Sequence, residues 1–170
     1  RTLSDLNKID SNLSSDLILK SIKIKNEIVN SDPREKNFRK ILNFGHTLGH
    51  AIESHFLSKK RPENLLHGEA ISIGMILESY ISHKILKMPY KQCLEIKQNV
   101  NSKFQKIKIE SEDSKSILKL IKFDKKNKDG KVLFVLLSEI GKSKIDIEVP
   151  KKTIIESIEF YNSWSMPNFY

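Results

Sequence analysis

Cysteine is almost absent from this chain of 170 residues, because Cys93 is its only cysteine. A single cysteine excludes an intrachain disulfide and is compatible with a reducing compartment. No apolar run approaches the roughly 20 residues that a membrane-spanning helix needs. The polar, charged first residues lack the features of a signal peptide. We therefore expect a cytoplasmic protein with no membrane partner.

Two further features that the sequence lacks restrict the classes of function it can have. No glycine-rich turn follows a strand near the start of the chain, so the dinucleotide-binding fingerprint is missing and no cofactor-binding residue is predicted in this chain. The net charge is +9. The excess lysine is scattered, however, without the interleaved aromatic residues or the recognised motif of a nucleic-acid-binding protein. We expect no nucleic-acid partner and a basic surface that attracts anionic substrates.

The spacing of apolar residues predicts a mainly α fold over a single domain, residues 1–170. Capping and breaking residues divide the chain into segments. The predicted helices cover about 14–30, 45–57, 68–88, 90–104, 114–123 and 150–160. The apolar run in 131–138 and the alternating Ile145, Ile147 and Val149, separated by a turn at Gly141, predict one late β-hairpin.

Histidines are concentrated in one part of the chain. His46 and His50 are four residues apart and share one face of the predicted helix, which Glu53 extends. His67 stands at the head of the next helix, and His55 falls on the opposite side from His46. Catalytic zinc usually takes three protein ligands, and imidazole is a common one. Spacing alone therefore predicts a metal site of His46, His50 and His67, the alternative being ordinary core or surface histidines.

Polar residues before the histidines suit an anionic substrate. Arg39 can pair with a carboxylate or phosphate through two parallel hydrogen bonds, and Asn43 can bind hydroxyl groups. Glu35 is a candidate general acid or base. Lys25 lies among the apolar residues of the first helix, where it either extends to water or points into a site. Each of these residues taken singly is also compatible with an ordinary polar surface.

Three motifs resemble the signatures of the 3-dehydroquinate synthase family. The first covers Arg39–Glu53 and the second covers His67–Met75. The third combines Asp124–Lys126 and Gly130 with the later Ile140–Lys142. The motifs occur in the family's order and at about its spacing, and the resemblance covers nearly the whole chain.

The resemblance implies the multi-helical C-terminal domain of a two-domain enzyme. The family's N-terminal α/β domain, which binds NAD, is expected to be absent from this chain. His46 and His67 would be metal ligands, and the family's third ligand is a glutamate in the absent upstream segment. His50 would then be an acid/base residue rather than a ligand, which differs from the three-histidine site that spacing alone predicts.

The resemblance also assigns the remaining site residues. Glu35 would be a second catalytic acid/base residue beside His50. The substrate-binding residues would be Lys25, Arg39, Asn43 and one of the adjacent Lys125 and Lys126.

The implied activity is that of a carbon–oxygen lyase acting on phosphates. It converts 3-deoxy-arabino-heptulosonate 7-phosphate to 3-dehydroquinate and phosphate in the shikimate pathway, with Zn²⁺ or Co²⁺ and NAD⁺ as cofactors. The implied partners are the sugar phosphate, the N-terminal NAD-binding domain and a second copy in a homodimer, and the C-terminal domain alone would be inactive. The alternatives are a related cyclase acting on another heptulose or hexose phosphate, a polyol dehydrogenase relative, and a non-catalytic helical module.

Overall fold

A computed structural model describes residues 11–59, 65–104, 106–123 and 132–163 of the chain. The elements, in order, are α1 (Ser11–Ser31), a 3₁₀ helix (Phe38–Asn43), α2 (His46–Ser58), α3 (His67–Leu86), α4 (Tyr90–Asn101), α5 (Ser111–Phe123), β1 (Leu133–Glu139), β2 (Lys142–Glu148) and α6 (Lys151–Asn162). The prediction of a mainly helical fold with one late hairpin is confirmed. In the part of the chain described, no helix is long and apolar enough to cross a membrane.

Contacts divide the chain into two compact units, residues 1–42 and 43–170. The prediction of one domain over 1–170 stays a prediction. In the first unit, several apolar side chains of α1 are exposed, among them Ile18 at 59% and Ile24 at 56%. Lys25 is exposed on the same helix.

A turn after α1 is organised by one carboxylate. Asp32 accepts hydrogen bonds from the backbone N–H groups of Lys36, Asn37 and Arg39, at 3.1, 2.8 and 3.1 Å. The bond from Asn37 is the main cause that lowers the pKa of Asp32, since such donors favour the ionised form. This turn leads into the 3₁₀ helix, which is not among the helices that the sequence predicted.

Helix α3 is the centre of the second unit, and it contacts α2, α4, α6 and β1. Its apolar residues recur on several faces, as expected for a helix that is covered on most sides. The core that it builds with its neighbours includes Leu48, Ile52, Phe56, Ile73, Ile76, Leu77, Ile81, Ile117, Phe134, Leu136, Ile158 and Tyr161.

Glycines bring α2 and α3 into backbone contact. A Cβ atom on Gly74 of α3 would lie 2.0 Å from the carbonyl oxygen of Gly45 and 2.8 Å from the amide nitrogen of Gly49. Gly45 itself has a φ of +83°, a conformation that glycine adopts without strain. The sharp entry into α2 and the close helix pair therefore both depend on residues without a side chain.

The hairpin packs on α3 through β1, whose Phe134, Val135 and Leu136 are buried. The two strands are antiparallel, with Leu133 opposite Glu148 and Glu139 opposite Lys142. Ser82 of α3 accepts a hydrogen bond from the N–H of Leu137 at 2.9 Å and donates one to the carbonyl oxygen of Glu78 at 2.6 Å. This hydroxyl group thus fixes the strand against the helix that carries part of the histidine cluster.

Candidate metal centre

The start of α2 places two imidazoles side by side. His46 is the first residue of α2 and His50 lies one turn later, so both side chains project from one face. Their ring centroids are 5.3 Å apart, with the ring planes nearly perpendicular. Both residues are partly exposed, so a ligand can reach them from solvent.

The start of α3 contributes a third imidazole. His67 is the first residue of α3, and its side chain is 58% exposed. Glu69 accepts a hydrogen bond from the N–H of Leu66 at 2.8 Å, which satisfies one of the free amide groups at this helix end. The carboxylate of Glu69 therefore fixes the first turn of α3, from which His67 projects.

The three rings converge on one point. The ring of His67 lies 6.2 Å from that of His46 and 5.7 Å from that of His50. One nitrogen from each ring can be chosen so that all three lie within 4.8 Å of one another. Nitrogens bound to one zinc ion lie about 2.0–2.1 Å from it. Three imidazole nitrogens this close together can surround a single ion, so the donor set fits a transition metal.

Hydrogen bonds determine which nitrogen two of these rings present. His46 Nδ1 lies 3.2 Å from the carbonyl oxygen of Phe44, and His67 Nδ1 lies 3.1 Å from Glu53 Oε2. A carbonyl oxygen and an ionised carboxylate only accept hydrogen bonds, so each Nδ1 carries the hydrogen. The Nε2 atoms of His46 and His67 are then unprotonated in the neutral rings, which is the form that binds metal.

A buried glutamate below the cluster was missed by the sequence analysis. Glu78 of α3 is fully buried, and its carboxyl oxygens accept hydrogen bonds from the N–H groups of Gly45 at 2.6 Å and Leu48 at 3.2 Å. It thereby holds the first turn of α2. The available signal was an acidic residue within the otherwise apolar and small run Ile71–Ile81.

His55 lies apart from the cluster, as its position on the helix predicted. It is buried at the other end of α2, where its Nε2 atom is 2.7 Å from Asp113 Oδ1 of α5. Lys59 donates to the same carboxylate oxygen. These contacts tie the end of α2 to α5 and give His55 a structural role.

The other predicted site residues fall in several places. Glu35 and Arg39 lie in the first unit, where Arg39 Nε is 3.9 Å from Glu35 Oε2 and Arg39 Nη1 donates to the carbonyl oxygen of Pro33 at 3.0 Å. Glu35 has a φ of 51°, an uncommon conformation for a residue with a side chain. Asn43 is partly exposed at the end of the 3₁₀ helix. Lys125 and Lys126 lie outside the described residues.

The fold is thus a helical domain in which two packed helices present convergent imidazoles, an arrangement that suits a transition metal. The family described as 3-dehydroquinate synthase C-terminal matches residues 1–127. The chain belongs to the 3-dehydroquinate synthase family, within which it matches the C-terminal domain, and the resemblance noted from the motifs is confirmed.

Curated relatives agree with this assignment. The 3-dehydroquinate synthase of Parabacteroides distasonis is 35% identical over 159 residues, covering 94% of this chain and 44% of the relative. That of Thermodesulfovibrio yellowstonii is 40% identical over 145 residues, covering 84% of this chain and 39% of the relative. The chain thus spans about two fifths of the length of these relatives.

A solved structure also resembles the chain. It is that of 2-deoxy-scyllo-inosose synthase complexed with carbaglucose-6-phosphate, NAD⁺ and Co²⁺. It matches with a TM-score of 0.66 and 30% sequence identity, covering 82% of this chain and 38% of the solved one. That enzyme therefore carries a domain of the same fold and holds a transition metal and a sugar-phosphate analogue.

Proposed function

We propose that this chain provides the metal-binding and substrate-binding part of a 3-dehydroquinate synthase. The observation that carries the proposal is the convergence of three imidazoles from α2 and α3, with nitrogens within 4.8 Å of one another, in a chain that belongs to this family. The substrate is 3-deoxy-arabino-heptulosonate 7-phosphate and the products are 3-dehydroquinate and phosphate, so the enzyme is a carbon–oxygen lyase.

The histidines divide into two roles in this proposal. His46 and His67 bind Zn²⁺ or Co²⁺ through Nε2, because each Nδ1 hydrogen is already donated to Phe44 or Glu53. When bound, the metal would act as a Lewis acid on the oxygens of the substrate. His50, whose ring centroid lies 5.3 Å from that of His46, transfers protons at the substrate rather than binding the metal.

The remaining roles follow from the family motifs. Arg39 pairs with an anionic group of the substrate, Asn43 binds its hydroxyl groups, and Glu35 is the second acid/base residue. Lys25 and one of Lys125 and Lys126 add positive charge that balances the carboxylate and phosphate. NAD⁺ accepts and returns the hydride. We assign its binding, and the third metal ligand, to the family's N-terminal domain, and we assign the enzyme to a cytoplasmic homodimer.

The test is phosphate release from the heptulosonate phosphate with NAD⁺ and Zn²⁺ or Co²⁺. We expect release when this chain is combined with the N-terminal part of the enzyme, and none from this chain alone. No release from the combined protein would contradict the proposal.

A second candidate is a related cyclase, since the solved relative was captured with carbaglucose-6-phosphate. The same assay with glucose 6-phosphate and sedoheptulose 7-phosphate separates the two. A preference for either phosphate, which lacks the carboxylate, would favour the second candidate.

The division of roles among the histidines is tested by metal affinity. We expect His46→Ala to weaken Zn²⁺ binding more than His50→Ala does, because only His46 is assigned as a ligand. Isothermal titration of each variant with Zn²⁺ measures the difference. Equal losses would instead support the three-histidine site that the spacing predicts.

A further inference from the structure

Glu53 is a carboxylate that contacts a histidine of the cluster. It lies on α2, three residues after His50, and its Oε2 atom is 3.1 Å from Nδ1 of His67 on α3. The Glu53 side chain is 24% exposed, less than half the 58% of His67. The contact therefore joins the two helices that carry the imidazoles, and it is partly shielded from water.

His67 depends on such a contact more than His46 does. The Nδ1 atom of His46 is paired with a backbone carbonyl oxygen two residues earlier, so the local chain orients that ring. His67 is largely exposed at the first residue of α3, where the helix leaves its side chain free to adopt several rotamers. A partner from the neighbouring helix is needed to select one of them.

The chemistry of the contact matches what a metal-binding histidine requires. A carboxylate that accepts the Nδ1 hydrogen fixes the tautomer, directs Nε2 away from the carboxylate and makes it a stronger ligand. Loss of such a partner typically weakens metal affinity about 10- to 100-fold.

We propose that Glu53 is a positioning residue of the metal centre, which orients His67 and holds it in the tautomer that presents Nε2. The inference rests on the proposed function, because that function assigns His67 as a metal ligand. Glu53 is not itself a ligand in this proposal, and it acts through the imidazole.

Metal titration of the full chain tests the role of Glu53. Zn²⁺ affinity is measured by competition with a chelator, and Co²⁺ affinity by its visible absorption. We expect Glu53→Ala to bind either ion about 10- to 100-fold more weakly. Glu53→Gln should recover most of this loss, because its amide oxygen can still accept the Nδ1 hydrogen. Glu53→Gln is also the control for charge, because it removes the negative charge of Glu53 and retains the acceptor.

The tautomer of His67 provides a readout that does not depend on metal. Nitrogen-15 NMR of the metal-free chain, at a pH where the imidazole is neutral, should show hydrogen on Nδ1 in the wild type. It should show hydrogen mainly on Nε2 in Glu53→Ala, with unchanged thermal unfolding as evidence that the fold is intact.

The possible results distinguish a failure of this inference from a failure of the proposed function. Wild-type metal affinity in Glu53→Ala, or an unchanged His67 tautomer, would overturn the role of Glu53 and leave the metal site standing. A wild-type chain that binds neither Zn²⁺ nor Co²⁺, even when it is combined with the N-terminal part of the enzyme, would overturn both the proposed metal site and this inference. A loss in Glu53→Gln as large as that in Glu53→Ala would show an effect of charge alone and would overturn the positioning role.

Discussion

The two ends of α2 each receive a buried carboxyl group from a neighbouring helix, and the two groups behave in opposite ways. At the first turn, Glu78 of α3 accepts hydrogen bonds from backbone N–H groups, and burial raises its pKa to about 8. At the last turn, Asp113 of α5 is equally buried. Burial alone would raise the pKa of Asp113, but hydrogen bonds from Lys59 and His55 outweigh it and hold the pKa at about 2.

The two pKa values differ because the carboxyl groups accept hydrogen bonds from different kinds of donor. Backbone amides carry only partial charge, so they satisfy the oxygens of Glu78 without compensating the loss of water around a full negative charge. The lysine at Asp113 carries a full positive charge and favours the ionised form. Asp113 also accepts the N–H of Glu110 at 3.0 Å, which caps the start of α5. The end of α2 that bears His46 and His50 is therefore held by Glu78, the carboxyl group that ionises less readily.

The largest effect is expected at the ion-paired end. Asp113→Ala removes the partner of Lys59 and His55 and leaves His55 buried without its acceptor. Breaking a buried pair from one side typically costs about 3–5 kcal/mol. We expect a loss of unfolding free energy in this range by urea denaturation. The control is Glu112→Ala, which changes an exposed acidic residue in the same turn and should change stability by about 0.5 kcal/mol or less. Equal stability of the two variants would contradict the comparison.

A smaller loss of unfolding free energy is expected when α2 and α3 are moved apart near His46 and His67. Gly74→Ala would place a Cβ atom 2.0 Å from the carbonyl oxygen of Gly45, so α2 and α3 must move apart. Overpacking of this kind costs about 1–3 kcal/mol. We also expect weaker Zn²⁺ binding, because His46 and His67 lie on the two separated helices.

The matched control for this variant is Gly68→Ala. A Cβ atom on Gly68 meets nothing within 4 Å, and alanine favours the helix by about 1 kcal/mol over glycine. Gly68→Ala should thus be as stable as the wild type or more so, with unchanged Zn²⁺ affinity. Wild-type behaviour in Gly74→Ala would show that the close backbone contact is not required.

The smallest effect concerns pH. Glu78 has a folded-state pKa near 8 against an ordinary value of 4.5. Between these values the native state holds a proton that the unfolded chain has lost, so this group makes stability fall as pH rises from 4.5 to 8. Asp113 has the opposite sign, because its stabilising effect is present above pH 3.8 and is lost as pH falls toward 2.

Stability measured for Glu78→Gln over a range of pH distinguishes the contribution of Glu78 from that of Asp113. Glutamine resembles the protonated acid, so we expect a change of only about 1 kcal/mol below pH 4.5, where Glu78 is protonated in the native and the unfolded state. The decline between pH 4.5 and 8 should become shallower, while the acid side is unchanged. Urea midpoints measured across the series check this, with the exposed Glu95→Gln as control. A Glu78→Gln profile parallel to that of the wild type would contradict the assigned pKa.

The local sequence pattern was sufficient to predict the helices, the hairpin and the histidine cluster. The predicted ends of α2 and α6 differ from the observed ends by one or two residues, because Gly45 and Pro150 mark their starts. His46 and His50 share a face through helical geometry alone. The grouping of His67 with them was expected from the concentration of histidines and from the family motifs, and in the structure the packing of α3 on α2 brings it about.

The carboxyl groups around α2 could not be predicted in the same way. Glu53 and His67 are 14 residues apart, Glu78 and Gly45 are 33 apart, and Asp113 and His55 are 58 apart. Such pairs depend on how helices cross, and periodicity contains no information on that. Lys97 of α4 is a similar case, since it is buried and donates to the carbonyl oxygen of Phe160 on α6, 63 residues later in the chain.

The backbone contact at Gly74 also limits how this protein can change over evolutionary time. Every other amino acid carries a Cβ atom, so no missense mutation at this position avoids the 2.0 Å approach to Gly45. Gly68, one and a half turns earlier on the same helix, meets no such limit. Gly68 can therefore be replaced without a steric clash, whereas Gly74 cannot. A replacement at Gly74 could persist only after a compensating change had moved α2.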